Sequence, residues 1–330
     1  MATTGRNAAL ADRRAARPRI SFELFPPRSD AAALALGRTI DRLAGVEPAF
    51  MSVTFGAGGS SRDRSLTVLR YLLEHTAVEP MAHLTCVGSS HSEANRLVRE
   101  FLDAGITSFL ALRGDLPVGA DPGAQLGDLG SAAELVQLIH RVQEEREPFA
   151  QVGIPGLPGV SQIRERRRPE RVAIAAFPTG HPRSTDPSQD IDALLAKEIA
   201  GANLAITQLF WRADDYLGYV DRARAGGVTI PILPGIMPVT SPARLARLTG
   251  LTGVEPPADL TAQLERAHDP EMQAELGIAH AARLAADVLE AGAPGLHLYT
   301  FNRHDAVLEV LDRLAIATTD RLVNERNTAR

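Results

Sequence analysis

Short runs of β-forming residues recur along the chain, each followed by turn residues and then by apolar positions at helical spacing, as in parallel βα units. Eight such runs occur, at 20–25, 50–55, 81–87, 108–112, 172–177, 204–210, 230–233 and 296–300. Amphipathic stretches at 31–43, 91–104, 131–147, 191–200 and 276–290 supply helices for an outer ring. Eight repeats without a long break predict an α/β fold, a closed (β/α)8 TIM barrel, over residues 20–316. An Arg- and Ala-rich tail precedes it at 1–19 and a second tail follows at 317–330. Two places break the rhythm: 117–130 together with 146–171, and 250–270, where Pro and Gly are dense. They are predicted as loop insertions. The run Arg164, Arg166, Arg167, Arg168 and Arg171 could hold a phosphate, a solvated loop being the simpler alternative.

Composition narrows the function classes. With 330 residues, 45% of them apolar, the chain can bury a large core, and a formal charge of -5 gives no drive toward nucleic acid or anionic membrane. Cys86 is the single cysteine, which excludes an internal disulfide and a thiolate metal site within one chain. No apolar run is long enough to span a membrane, so a cytoplasmic protein acting on small molecules is expected, with a homo-oligomer left open.

A barrel of this kind works at the face where its strands end, and polar residues collect there. Glu23 lies inside the strand ISFELF, where period-2 alternation sets it on the side of Ser21 and Phe25. Burial would raise its pKa and leave it able to donate a proton near neutral pH; pairing with a core Arg is the alternative. Asp115 follows strand four in LALRGDLP, with Arg113 two residues before it, where a turn-capping role competes with a functional one. Thr54 ends strand two ahead of GAGGSS, a glycine-rich loop that could approach a phosphate or serve as an ordinary turn. His83 and Thr85 share one side of strand three, and His181 follows strand five. Neither histidine has a metal-binding spacing, and each could equally be a packing residue. Gln208 could read a heterocyclic amide edge or satisfy loop backbone. Tyr299, Asn302 and Arg303 close strand eight, where capping by Asn302 and a surface role for Arg303 compete with substrate contact. No P-loop, zinc signature or nucleophile elbow occurs. The inventory suits binding and protonating a polar heterocycle.

The motifs SFELFPPR, VTFGAGGSSRDRS, HLTC, ALRGDLP, AAFPTGHP, GANLAITQLFW, PGIMPVTS and LYTFNR together resemble the methylenetetrahydrofolate reductase family, in the same order. The resemblance implies a barrel carrying FAD at its C-terminal face, with NADH or NADPH and methylenetetrahydrofolate using the same flavin face in turn. It implies that Glu23 is the general acid opening the methylene bridge, and that Asp115 lies between flavin and pterin, favouring the cationic iminium. It further implies that Gln208 holds the pterin and Arg303 contacts substrate. Thr54, His83, Arg113, Asp115, Phe177, His181, Asp190 and Lys197 would contact FAD, with Arg113 and Lys197 suited to its phosphates. Phe177 stands where a Tyr is usual, Leu248 where an aromatic is usual, and 146–171 is longer than in the family. Two alternatives are a flavin-free reductase with direct hydride transfer and a pterin-binding barrel that transfers methyl groups without redox chemistry.

Overall fold

Nine parallel strands run in the order of a closing barrel wall in the computed structural model, which describes residues 18–55, 59–114, 127–146, 149–153, 161–165 and 171–316. The strands are β1 (Arg19–Leu24), β2 (Phe50–Val53), β3 (Pro80–Thr85), β4 (Ser108–Leu112), β7 (Val172–Ala176), β8 (Leu204–Thr207), β9 (Ile232–Leu233), β10 (Gly235–Ile236) and β11 (Gly295–Tyr299). β5 (Phe149–Gly153) and β6 (Ser161–Glu165) form a separate antiparallel pair. The helices are α1 (Asp30–Ala44), α2 (Gly59–His75), α3 (His91–Asp103), α4 (Ala132–Arg146), α5 (Pro187–Ile199), α6 (Ala213–Ala225), α7 (Pro242–Thr252), α8 (Ala258–Arg266), α9 (Pro270–Glu290) and α10 (Asp305–Arg313).

The eight expected strands are all present, the seventh in two pieces. β9 pairs with β8 and β10 pairs with β11, and only Pro234 separates them. A proline has no N–H to give a ladder, so the strand breaks there and shifts from one neighbour to the other. Hydrogen bonds span the break: His297 N donates to Pro234 O at 3.0 Å and Gly235 N to Thr207 Oγ1 at 2.8 Å.

Alternation divides the core into two layers. Phe22, Leu24, Ala82, Leu84, Leu296 and Leu298 point outward into the main cluster beneath the helices. Phe50, Met81, Leu110, Ala173, Leu204, Ile206 and Leu233 fill the barrel interior. Local chemistry fixes the helix starts: Ser90 and Glu93 form a capping box on α3, and Asp186, Ser241 and Asp269 cap helices that begin with proline.

Regular structure occurs within the described parts of two expected insertions. Residues 250–270 contain the end of α7 and all of α8, which drives Leu260 and Leu264 into a cluster with Trp211, Met237 and Leu248. Dense prolines hid that helical spacing. Segment 146–171 contains the β5–β6 hairpin. Of its arginine run, Arg171 is half-buried, pairs with Glu79 at 2.9 Å and donates to Ala49 O. Arg166, Arg167 and Arg168 lie outside the described residues, as do 1–17, most of 117–130, and 317–330.

Candidate active site

β1 turns Ser21 and Glu23 into the barrel, as alternation predicts, and sets Glu23 in register with Ser52 on β2 and Tyr299 on β11. The Glu23 side chain keeps 12% of its accessible surface, and desolvation pushes its carboxyl pKa up to about 8. His83 points inward from β3 with Nε2 3.7 Å from Glu23 Oε2, too far for a hydrogen bond. Burial pushes His83 down to about 3, so at neutral pH the two face each other uncharged. The expected alternative, a core Arg paired with Glu23, is not what the barrel supplies.

A second histidine completes this interior layer and was not singled out by its sequence. His297 on β11 is fully buried, pushed down to about 3 by desolvation and then by His83, and stacks on Phe50 with ring centroids 5.8 Å apart. It lies two residues before Tyr299, so the alternation that placed Glu23 inside would have placed His297 there too. Tyr299 donates its hydroxyl to Thr207 O at 2.7 Å.

Another group gathers beyond β7. The Asp190 carboxylate accepts the His181 N–H at 3.1 Å and the Ser184 hydroxyl at 2.7 Å. His181 Nδ1 accepts the Arg183 N–H, which leaves Nε2 to carry the ring proton. The Phe177 ring meets the His181 ring edge to face at 4.7 Å. Lys197 donates to Ala175 O at 2.7 Å, and burial lowers its pKa to about 8 against the opposing pull of Asp190. Arg113 and Lys197 both act electrostatically on His181, so Arg113, Phe177, His181, Asp190 and Lys197 form one neighbourhood.

The remaining candidates are dispersed. Thr54 sits at the end of β2, its carbonyl accepting the Ser65 hydroxyl at 2.8 Å. Gln208 Oε1 accepts the N–H of Leu209 at 2.9 Å, which leaves its amide NH2 as the group available to a ligand. Arg303 is exposed and adds to burial in lowering the pKa of Arg244, whose guanidinium lies 5.8 Å from the Phe301 ring centre. Asn302 caps, but across the barrel seam: its side chain accepts Phe25 N–H and donates to Phe25 O, both at 2.8 Å. Asp115 lies outside the described residues.

The sequence pattern of methylenetetrahydrofolate reductase matches residues 9–315. The chain belongs to the methylenetetrahydrofolate reductase family. The 5,10-methylenetetrahydrofolate reductase of Pectobacterium carotovorum is 31% identical over 91% of each chain, and that of Escherichia coli 30% identical over 90% of each. The Arabidopsis thaliana methylenetetrahydrofolate reductase (NADH) 1 is 32% identical over 90% of this chain and 48% of its own length. A solved structure of an uncharacterized Clostridium thermocellum protein that binds two copies of 5-methyl-5,6,7,8-tetrahydrofolic acid superposes with a TM-score of 0.60. It covers 96% of this chain and 99% of its own, and at 15% identity the likeness shows the fold alone.

Proposed function

We propose that the protein reduces 5,10-methylenetetrahydrofolate to 5-methyltetrahydrofolate with NAD(P)H and FAD, in one catalytic barrel over residues 20–316, in the cytoplasm. The observation that carries this reading is a carboxyl group with a pKa of about 8 inside the barrel of a methylenetetrahydrofolate reductase family member. At pH 7 Glu23 holds a proton it can give up, which suits a general acid that opens the methylene bridge of the folate.

The chemistry of the second neighbourhood fits a flavin dinucleotide. Lys197 and Arg113 are cations suited to a pyrophosphate, and the Phe177 and His181 rings offer an aromatic corner. Gly114, two residues past β4, has φ +90°, and a Cβ there would stand 2.7 Å from Val87 Cγ1 and 3.0 Å from Thr85 Cβ, so only glycine fits. When bound, FAD would supply the hydride relay between nicotinamide and folate. Thr54, His83 and Asp190 complete the proposed contact set. Asp115 would hydrogen-bond the pterin and favour positive charge on the opened folate. Gln208, through its NH2, and Arg303 would hold the rest of the substrate.

The test is a visible spectrum of the purified protein under anaerobic conditions, with NADH or NADPH added first and methylenetetrahydrofolate second. A flavin band that bleaches and then returns supports the reading. A colourless protein that still oxidises NAD(P)H with folate contradicts the role of FAD, and one inert in both steps contradicts the activity.

A further inference from the structure

Three buried side-chain atoms inside the barrel have no hydrogen-bond partner among the described residues: Ser52 Oγ, His83 Nε2 and His297 Nε2. All three stand on β2, β3 and β11, the strands that adjoin Glu23 on β1 and the one beyond. Ser52 is its register partner on β2, His83 Nε2 lies 3.7 Å from its carboxyl, and His297 precedes by two residues its register partner Tyr299. His297 and His83 are close enough to act on one another electrostatically.

The tautomer of His297 is set by where Ser21 sends its one hydrogen. Ser21 Oγ donates to Leu296 O at 3.2 Å and lies 2.9 Å from His297 Nδ1. With that hydrogen on Leu296 O the Ser21 oxygen accepts from Nδ1–H, and with it on Nδ1 the ring proton sits on Nε2; the proposal takes the first arrangement. A neutral imidazole protonated at Nδ1 carries a bare lone pair at Nε2. Each unpartnered buried polar atom costs roughly 1–3 kcal/mol, and three on these neighbouring strands call for a common partner. Internal waters are held by two to four such groups.

We propose that Ser52, His83 and His297 hold one internal water beneath Glu23, and that Ser21 makes His297 orient this water to accept a hydrogen bond from the protonated Glu23 carboxyl. The water donates to His297 Nε2 and Ser52 Oγ, and accepts from the Glu23 carboxyl and from His83 Nε2–H. Bonding to the protonated acid adds to desolvation in keeping the proton in place. Among the described residues, the titratable groups from the packed strands are His83 from β3, 3.7 Å from Glu23, Tyr299 from β11, on which Glu23 acts, and His297 from β11, on which His83 acts; the Tyr299 hydroxyl is committed to Thr207 on β8. His297 is thus a positioning residue, and Ser21 sets its tautomer.

The proposal deepens the reading of Glu23 as the acid, but its test needs no turnover and so fails or succeeds separately from the reductase activity. Nitrogen-15 NMR of the histidine-labelled protein, with His297 assigned through His297→Gln, is expected to show the proton on Nδ1. Infrared titration of the Glu23 carboxyl stretch, assigned by its loss in Glu23→Gln, is then compared between the native protein and Ser21→Ala. Without Ser21 the ring moves its proton to Nε2, the water turns a hydrogen toward the carboxylate, and the midpoint falls by about one pH unit. Desolvation alone predicts the opposite, since deleting a buried hydroxyl leaves the midpoint in place or raises it. Nε2–H in the native protein, or an unmoved or raised midpoint in Ser21→Ala, overturns the proposal. Should Ser21→Ala fail to fold, the tautomer of the native protein decides.

Discussion

Glu23 and His83 meet across β2 with 3.7 Å between Oε2 and Nε2, and burial drives their pKa values apart until neither is charged at neutral pH. An ion pair would have moved both the other way, lowering the acid and raising the base. The barrel therefore keeps a proton on Glu23.

That arrangement fixes the dependence of stability on pH. Glu23 rises from 4.5 to about 8 on folding, so between those values the folded chain binds more protons than the unfolded one and stability falls as pH rises. His83 and His297 fall from 6.5 to about 3, so between those values the unfolded chain binds more and stability rises with pH. Two rising contributions outweigh one falling contribution up to about pH 6.5, and only the fall remains above it. Denaturation midpoints should peak near that pH and lose up to about 2 kcal/mol by pH 8, a loss absent from Glu23→Gln. A native protein equally stable across this interval would contradict the shift assigned to Glu23.

Lys197 gives a prediction for the cofactor. Lys197→Met removes a partly desolvated charge beside Asp190 and His181. The FAD dissociation constant should rise about tenfold to a hundredfold, the equivalent of the roughly 1.5–3 kcal/mol of a hydrogen bond to a charged group. Equilibrium titration of apoprotein with FAD measures it, and unchanged affinity would place the phosphates elsewhere.

The seam of the barrel is tight at Gly235. A Cβ there would stand 2.2 Å from Thr207 O and 2.7 Å from the Tyr299 ring. Gly235→Ala should therefore cost about 3 kcal/mol or more, read as a lowered denaturation midpoint or lost soluble yield. A variant as stable as the native protein would mean that β9 and β10 are joined differently.

Asn302 clamps the end of β1 through both halves of its amide, from a backbone with φ 59° that favours Asn. Asn302→Asp keeps an acceptor for Phe25 N–H but sets a carboxylate against Phe25 O. A loss of roughly 1–3 kcal/mol is expected in denaturant titration, and none if the clamp bears no strain.

Much of this was legible from alternation. The wall strands, the inward turn of Glu23 and its raised pKa all follow from period-2 patterning and the cost of burying charge. The break at Pro234 was visible only as a proline beside a short strand, because its meaning depends on which neighbour each half joins. Helix α8 escaped because prolines mark a boundary more loudly than Leu260 and Leu264 mark a helix face. His297 escaped because a histidine between leucines reads as packing until its ring is seen against Ser21 and beside His83.

The central claim is that Glu23 is the acid of folate reduction, and Glu23→Gln tests it most directly when the two half-reactions are followed separately by stopped-flow absorbance. Reduction of the flavin by NAD(P)H should stay within a few-fold of the native rate, while reoxidation by methylenetetrahydrofolate should fall by about 10²–10⁴, the usual contribution of a general acid. Folate-dependent reoxidation at the native rate would contradict the account.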